Sequence, residues 1–194
     1  RDRFLRKNGN IFFEEKLTDF SIFAAVFILI NMHLFDNHNH SQFSFDGGRT
    51  SVEASARAAV TAGLEGICFT DHCDHYVPPM KESLEGLRPE YFDVGEQQKE
   101  IERVQKLLEG KVKILKGIEI GMYEDCHDEI RNVLHENSFD QVLASVHYIE
   151  QTDPYYGGYY EDKDWKQAYG SYLETIYREM TWLADFDIMG HYDY

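Results

Sequence analysis

From residue 32 onward the chain switches repeatedly between two hydrophobic periods. Short apolar runs bounded by turn residues predict strands at His33–His38, Gly66–Thr70, Val112–Ile120, Gln141–Val146 and Asp187–Gly190. Between them, apolar positions recur at helical spacing. One helix is expected to open on a capping box, Thr50-x-x-Glu53, to carry Val52, Ala56, Ala59 and Val60 inward, and to stop at Gly63. Others are expected over Glu96–Glu109, ended by Gly110, over Cys126–Asn137, and over Asp164–Ala184. Gly47-Gly48 predicts a turn, and Pro78-Pro79 with Pro89 a loop.

Strand followed by helix, five times over, argues a parallel sheet or a (β/α) barrel. A complete barrel takes about 250 residues, and Met32 to Tyr194 supplies 163. The expectation is therefore a partial barrel domain over 32–194, truncated at its C-terminal side after about five strands. Residues 1–31 differ in character. A mixed-charge stretch leads into the apolar run Phe20 to Ile30, whose 11 residues fall short of the roughly 20 that a bilayer-spanning helix needs. The run also lacks the flanks of a secretory signal. Three readings stay open for 1–31: a packed extension of the domain, sequence upstream of a start at Met32, or an anchor for a membrane or partner.

Composition narrows the function. Nineteen Lys and Arg against 35 Asp and Glu leave a formal charge of −16. That balance argues against a nucleic-acid partner, since phosphate backbones call for a basic face, and it is compatible with a site that gathers cations. The hydrophobic fraction of 43% is that of a globular chain. Cys68, Cys73 and Cys126 form no CxxC pair, which disfavours a disulfide framework or a zinc ribbon and fits a cytoplasmic protein. No membrane association is expected of the barrel region.

The histidines are placed with regularity. His38 and His40 lie two apart at the end of the first predicted strand, so both imidazoles point to one face and can share a metal ion. His72 follows the second strand in Phe69-Thr-Asp-His72, Glu119 ends the third, His147 the fourth and His191 the fifth. A carboxylate such as Glu119 within an apolar strand is costly unless paired or metal-bound, and its two oxygens can bridge two cations. His33, His75, His127 and His135 lack this placement and read as surface or satisfied core residues.

Taken together, these segments resemble the polymerase-and-histidinol-phosphatase (PHP) family of metal-dependent phosphoesterases. The motifs are Asp36-x-His38-x-His40-Ser41 with Ser44-x-Asp46-Gly47, then Thr70-Asp71-His72, Gly117-Ile-Glu119, Ser145-Val-His147 and Gly190-His191. Leu115 to Gly121, Asp153-Pro-Tyr-Tyr-Gly157 and Gly190-His-Tyr-Asp-Tyr194 are similar to the histidinol-phosphatase subgroup. The resemblance implies a distorted (β/α)7 TIM-like barrel with three divalent metal ions, zinc, iron or manganese. It assigns His38, His40 and Glu119 to the first, Asp46 and His72 to the second, and Glu119, His147 and His191 to the third. The family pattern also has a late Asp-x-His motif, which the given chain does not reach, so an inactive truncated chain is one expectation.

The implied reaction is hydrolysis of a phosphate monoester, L-histidinol phosphate, in histidine biosynthesis. Metal coordination would bring the pKa of water toward neutrality, and the cations would offset charge on the phosphoryl oxygens. No motif identifies the general acid. Two alternatives stand beside this: a PHP-type phosphoesterase acting on phosphotyrosine, a nucleotide or another small metabolite, and a binding module without turnover. Nine of the 13 tyrosines fall between Tyr155 and Tyr194. Tyr155 and Tyr156, in a loop just past His147, are the candidate substrate-binding residues, since aromatic faces can stack on an imidazole.

Overall fold

The computed structural model describes residues 5–7, 10–12, 33–46, 50–76, 91–156 and 158–192. The expected Gly47-Gly48 turn, the proline-marked loop and the apolar run Phe20 to Ile30 lie outside the described residues. The chain divides into two compact units, Arg1–His33 and Leu34–Tyr194. In the first, β1 (Leu5–Lys7) pairs antiparallel with β2 (Asn10–Phe12).

The second unit is an α/β body. In chain order it contains β3 (Phe35–Asn39), α1 (Val52–Ala62), β4 (Gly66–Phe69), β5 (His72–Cys73), α2 (Val94–Leu107), β6 (Lys113–Gly121), α3 (His127–Glu136), β7 (Gln141–Ser145), α4 (Trp165–Trp182) and β8 (Ile188–Met189). Among the described residues, the sheet runs β3-β4-β6-β7-β8, with β5 also paired to β6. Every pairing in it is parallel. This is the partial barrel that the strand and helix alternation implied, with element ends shifted by at most two residues.

Two shifts have physical causes. The second predicted strand ends one residue early, at Phe69, and resumes as the short β5. Phe69 pairs with Lys116 and His72 with Glu119, the same offset, so β5 continues β4 after Thr70-Asp71. At the break the Asp71 carboxylate accepts hydrogen bonds from Ser41 Oγ and Gln97 Nε2, at 2.9 and 2.6 Å, and from the Ser41 backbone N–H. The second shift is a cap. Ser51, not Thr50, caps α1, its hydroxyl accepting from the Ala54 amide at 3.1 Å. Glu53 does not close the expected box; it pairs with Arg57 and Arg103. The far end behaves as expected, with Gly63 at φ 74° in the left-handed region that suits glycine.

Helices cover the sheet through two apolar clusters. Val52, Ala56, Ile101 and Val104 of α1 and α2 meet Ile67, Phe69 and Ile114. Ile130, Tyr172 and Ile176 of α3 and α4 meet Ile118, Ile120 and Ala144. Each fully buried Ile or Phe contributes about 1.5–3 kcal/mol relative to exposure. Together they fix β6 and β7 in register, and that register places the site. No helix among the described residues is long and apolar enough to cross a membrane.

Candidate metal centre

The site is built around one side chain. Glu119 points from near the C-terminal end of β6, two residues before Gly121, and its side chain is fully buried. Parallel pairing sets His72 of β5 directly beside it. On the other flank, β7 runs into Val146 and His147, and β8 into Gly190 and His191, so both imidazoles rise past the same end of the sheet. From the end of β3 come His38 and His40.

Five imidazoles thereby surround one carboxylate. Nε2 of His40 lies 3.0 Å from Glu119 Oε2, and Nε2 of His147 and His191 lie 3.1 and 3.0 Å from Oε1. His72 Nδ1 is 3.2 Å from Oε2, and His38 Nε2 is 3.7 Å from Oε1. The Ser145 hydroxyl adds a hydrogen bond to Oε1 at 2.7 Å. Among the described residues, every ion-pair partner of Glu119 is a histidine. Asp46 closes the outer side, 3.0 Å from His40 Nδ1 and 3.6 Å from His72 Nε2, and accepts a hydrogen bond from Ser44 Oγ at 2.6 Å.

The electrostatics follow from this crowding. Burial alone would raise the Glu119 pKa, yet the bonds from His147, His191 and His40 outweigh it and hold the carboxyl well below its usual range. His40 shows the converse. Burial opposes its charge, but Glu119 and Asp46 lift its pKa to about 9. His147 is likewise raised, because Asp74 and Glu119 overcome the cost of burial. His38 is lowered by burial, with His40, His191 and His72 adding repulsion against the pull of Glu119.

The donor set fits divalent metal ions. Four groups of three ligand atoms lie within 4.8 Å of one another: His38, His40 and Glu119; His40, Asp46 and His72; His72, Asp74 and His147; and Glu119, His147 and His191. Imidazole nitrogens with carboxylate oxygens suit zinc, iron and manganese. Cations would also neutralise the buried Glu119 and Asp74 carboxylates, which Lys and Arg do not approach among the described residues.

All seven residues singled out from the sequence, His38, His40, Asp46, His72, Glu119, His147 and His191, are brought to this one place. His33 and His135 are exposed elsewhere, His75 stacks on Tyr91, and His127 bonds to Glu179. Sequence reasoning passed over Asp74, buried with Oδ1 2.8 Å from His147 Nδ1. The signal was present, since Asp74 stands two residues after His72 on an extended segment and shares its face. A cavity of about 410 Å³ opens over the cluster, and Phe45, Tyr148, Asp153 and Tyr155 form its outer wall. Tyr155 is 72% exposed. The backbone of Tyr156 lies in a single 3-10 turn, Pro154–Tyr156, and its side chain is outside the described residues.

Residues 36–194 match the family model described as PHP domain. The chain belongs to the PHP family. This PHP domain is 35% identical over 164 residues to the histidinol-phosphatase of Lactococcus lactis, an alignment covering 84% of the chain and 58% of that relative. A crystal structure described as histidinol phosphate phosphatase from the same organism, complexed with zinc, L-histidinol and phosphate, superposes with a TM-score of 0.74 at 31% identity. The match covers 84% of this chain and 59% of that one. A Listeria monocytogenes structure superposes at 0.56 with 21% identity over 72% of this chain and 58% of its own, a likeness of fold alone. The chain thus spans under three-fifths of the length of these relatives.

Proposed function

We propose that the protein hydrolyses L-histidinol phosphate to L-histidinol and phosphate, a step of histidine biosynthesis. The observation that carries this reading is the convergence of five imidazoles on the buried carboxylate of Glu119 at one end of a parallel sheet, beneath an open cavity. The PHP domain and its likeness to histidinol-phosphatases supply the substrate. We take the domain to be 32–194, with 1–31 as an extension, and assign it to the cytoplasm on the strength of three buried free thiols, Cys68, Cys73 and Cys126.

Three divalent ions, zinc, iron or manganese, are proposed. His38, His40 and Glu119 would hold the first, Asp46 and His72 the second, and Glu119, His147 and His191 the third. Bound there, they would lower the pKa of water and offset charge on the phosphoryl oxygens. The chain's own contribution is placement. Glu119 offers one oxygen to each side of the cluster, Ser145 and Ser44 fix the carboxylates of Glu119 and Asp46, and Thr70 Oγ1, 2.7 Å from His38 Nδ1, keeps Nε2 of that ring turned inward.

Tyr155 and Tyr156 are assigned to the substrate's imidazole, on which an aromatic face stacks. The test is phosphate release from L-histidinol phosphate and from an aryl phosphate by the metal-loaded protein. Turnover is expected on the first, with Tyr155→Ala and Tyr156→Ala raising its KM more than that of the aryl ester. Phosphate release from the aryl ester alone would overturn the substrate assignment. Equal KM effects would remove the two tyrosines from it.

A further inference from the structure

Asp74 lies between two proposed ligands of different metals. Its side chain is 3% exposed. Oδ1 stands 2.8 Å from Nδ1 of His147, whose Nε2 faces Glu119. Oδ2 stands 3.2 Å from Nδ1 of His72, whose Nε2 faces Asp46. The first contact is a hydrogen bond; the second is at ion-pair distance but not aligned for one. Nδ1 of His147 points away from the Glu119 oxygen that its Nε2 addresses, whereas Nδ1 of His72 lies 3.2 Å from Glu119 Oε2 as well as 3.2 Å from Asp74 Oδ2.

The chain makes room for this carboxylate. A Cβ on Gly121 would fall 1.6 Å from Asp74 Oδ1, and Gly121 is pinned by its pairing with Ser145 in β7. Residue 121 must therefore be glycine for Asp74 to occupy its position. A carboxylate behind a ligating imidazole fixes the ring's orientation and which nitrogen carries the proton, and its loss costs 10–100-fold in metal affinity in other sites.

We propose that Asp74 is a positioning residue, holding His147, and through its second oxygen His72, with Nε2 turned toward the metals. The inference rests on the metal reading above. A single side chain then sets ligands of the second and third ions together, so disturbing it affects both while sparing His38.

The test compares Asp74→Asn, Asp74→Ala and Gly121→Ala with the parent. Zinc content and affinity are measured by chelator competition, and long-range 15N–1H spectra of the zinc-loaded protein locate the ring protons of His72 and His147. Asp74→Ala is expected to bind zinc roughly 10–100-fold more weakly. Asp74→Asn should fall between it and the parent, because Asn keeps one acceptor for His147. Gly121→Ala leaves every ligand in place, yet should weaken zinc in the same direction by displacing Asp74. Its spectra should show the His147 ring proton lost from Nδ1 or exchange-broadened. Should Asp74→Ala fail to fold, Asp74→Asn and Gly121→Ala carry the same comparison. A parent that holds zinc, with variants of unchanged affinity and unchanged ring-proton positions, would overturn the role of Asp74 alone. A parent that holds no zinc would overturn the metal reading and this inference with it.

Discussion

Two glutamates of this chain are buried to nearly the same degree, and their surroundings are opposite. Glu179, on α4, is 2% exposed. Its Oε2 receives His127 Nε2 at 2.8 Å, its Oε1 has Arg178 Nε at 3.6 Å, and His127 stacks on Trp182 with centroids 3.6 Å apart. One imidazole and one guanidinium satisfy that carboxylate, and the ring opposite is held by an aromatic face. Glu119 has five imidazoles within 3.7 Å and no other ion-pair partner among the described residues. Those rings crowd one another, with His40 to His72 centroids at 4.4 Å and His72 to His147 at 4.8 Å. Were all five protonated they would repel, so one carboxylate does not account for them. The difference separates a structural ion pair from a cluster of Lewis bases that wants cations.

The largest expected effect comes from removing the charge at each glutamate. Glu119→Gln keeps the shape, but loses the charge that balances two cations. At least one metal should be lost, and turnover should fall by more than the roughly 10–100-fold typical of an outer-shell change; elemental analysis and phosphate release check both. Glu179→Gln should leave metal content at the parent's level and cost about 1–3 kcal/mol of stability, read by urea denaturation. Metal loss in Glu179→Gln equal to that in Glu119→Gln would erase the distinction.

pH probes the Glu119 cluster next. In the metal-free protein, His40 is raised to about 9 from its ordinary 6.5 by Glu119 and Asp46 acting against burial. A raised histidine adds stability that is fully present below 6.5 and lost as pH climbs through 9. The stability of the metal-free protein should therefore decline between those values. Asp74, held down to about 2 by His147 and His72 despite burial, adds stability present above its ordinary 3.8 and lost as pH falls toward 2. Denaturation midpoints of chelator-treated protein from pH 2 to pH 9.5 check both limbs. Zinc should flatten the alkaline decline, because metal replaces the proton on these rings.

The smallest effect tests the structural cluster alone. Arg131 sits over the Trp182 ring at 5.0 Å. Arg131→Ala should cost about 0.5–1 kcal/mol and leave zinc binding unchanged, as followed by thermal unfolding and elemental analysis.

Much of this contrast was legible in the sequence. The strand and helix alternation gave the parallel order, because apolar period and glycine stops are local signals. HxH, Thr-Asp-His, Ile-Glu, Val-His and Gly-His were legible as one cluster because parallel strands bring their C-terminal ends to one face. Three features were not. Ser51, not Thr50, is the cap, and Glu53 instead meets Arg103 across 50 residues, a contact that no local pattern encodes. The break at Thr70-Asp71 depends on Ser41 and Gln97, distant in sequence. Asp74 escaped notice because its role appears only once His147, 73 residues away, lies beside it.

Glu119 is proposed to organise a multinuclear metal site. The most direct test of this role is the zinc content per chain after reconstitution and exhaustive dialysis, with Glu119→Gln alongside the parent. The parent should retain roughly two or more zinc ions, as multinuclear hydrolytic sites do, and Glu119→Gln should lose at least one of them. A folded parent retaining less than about one ion per chain, or a Glu119→Gln protein retaining the parent's full complement, would contradict the account.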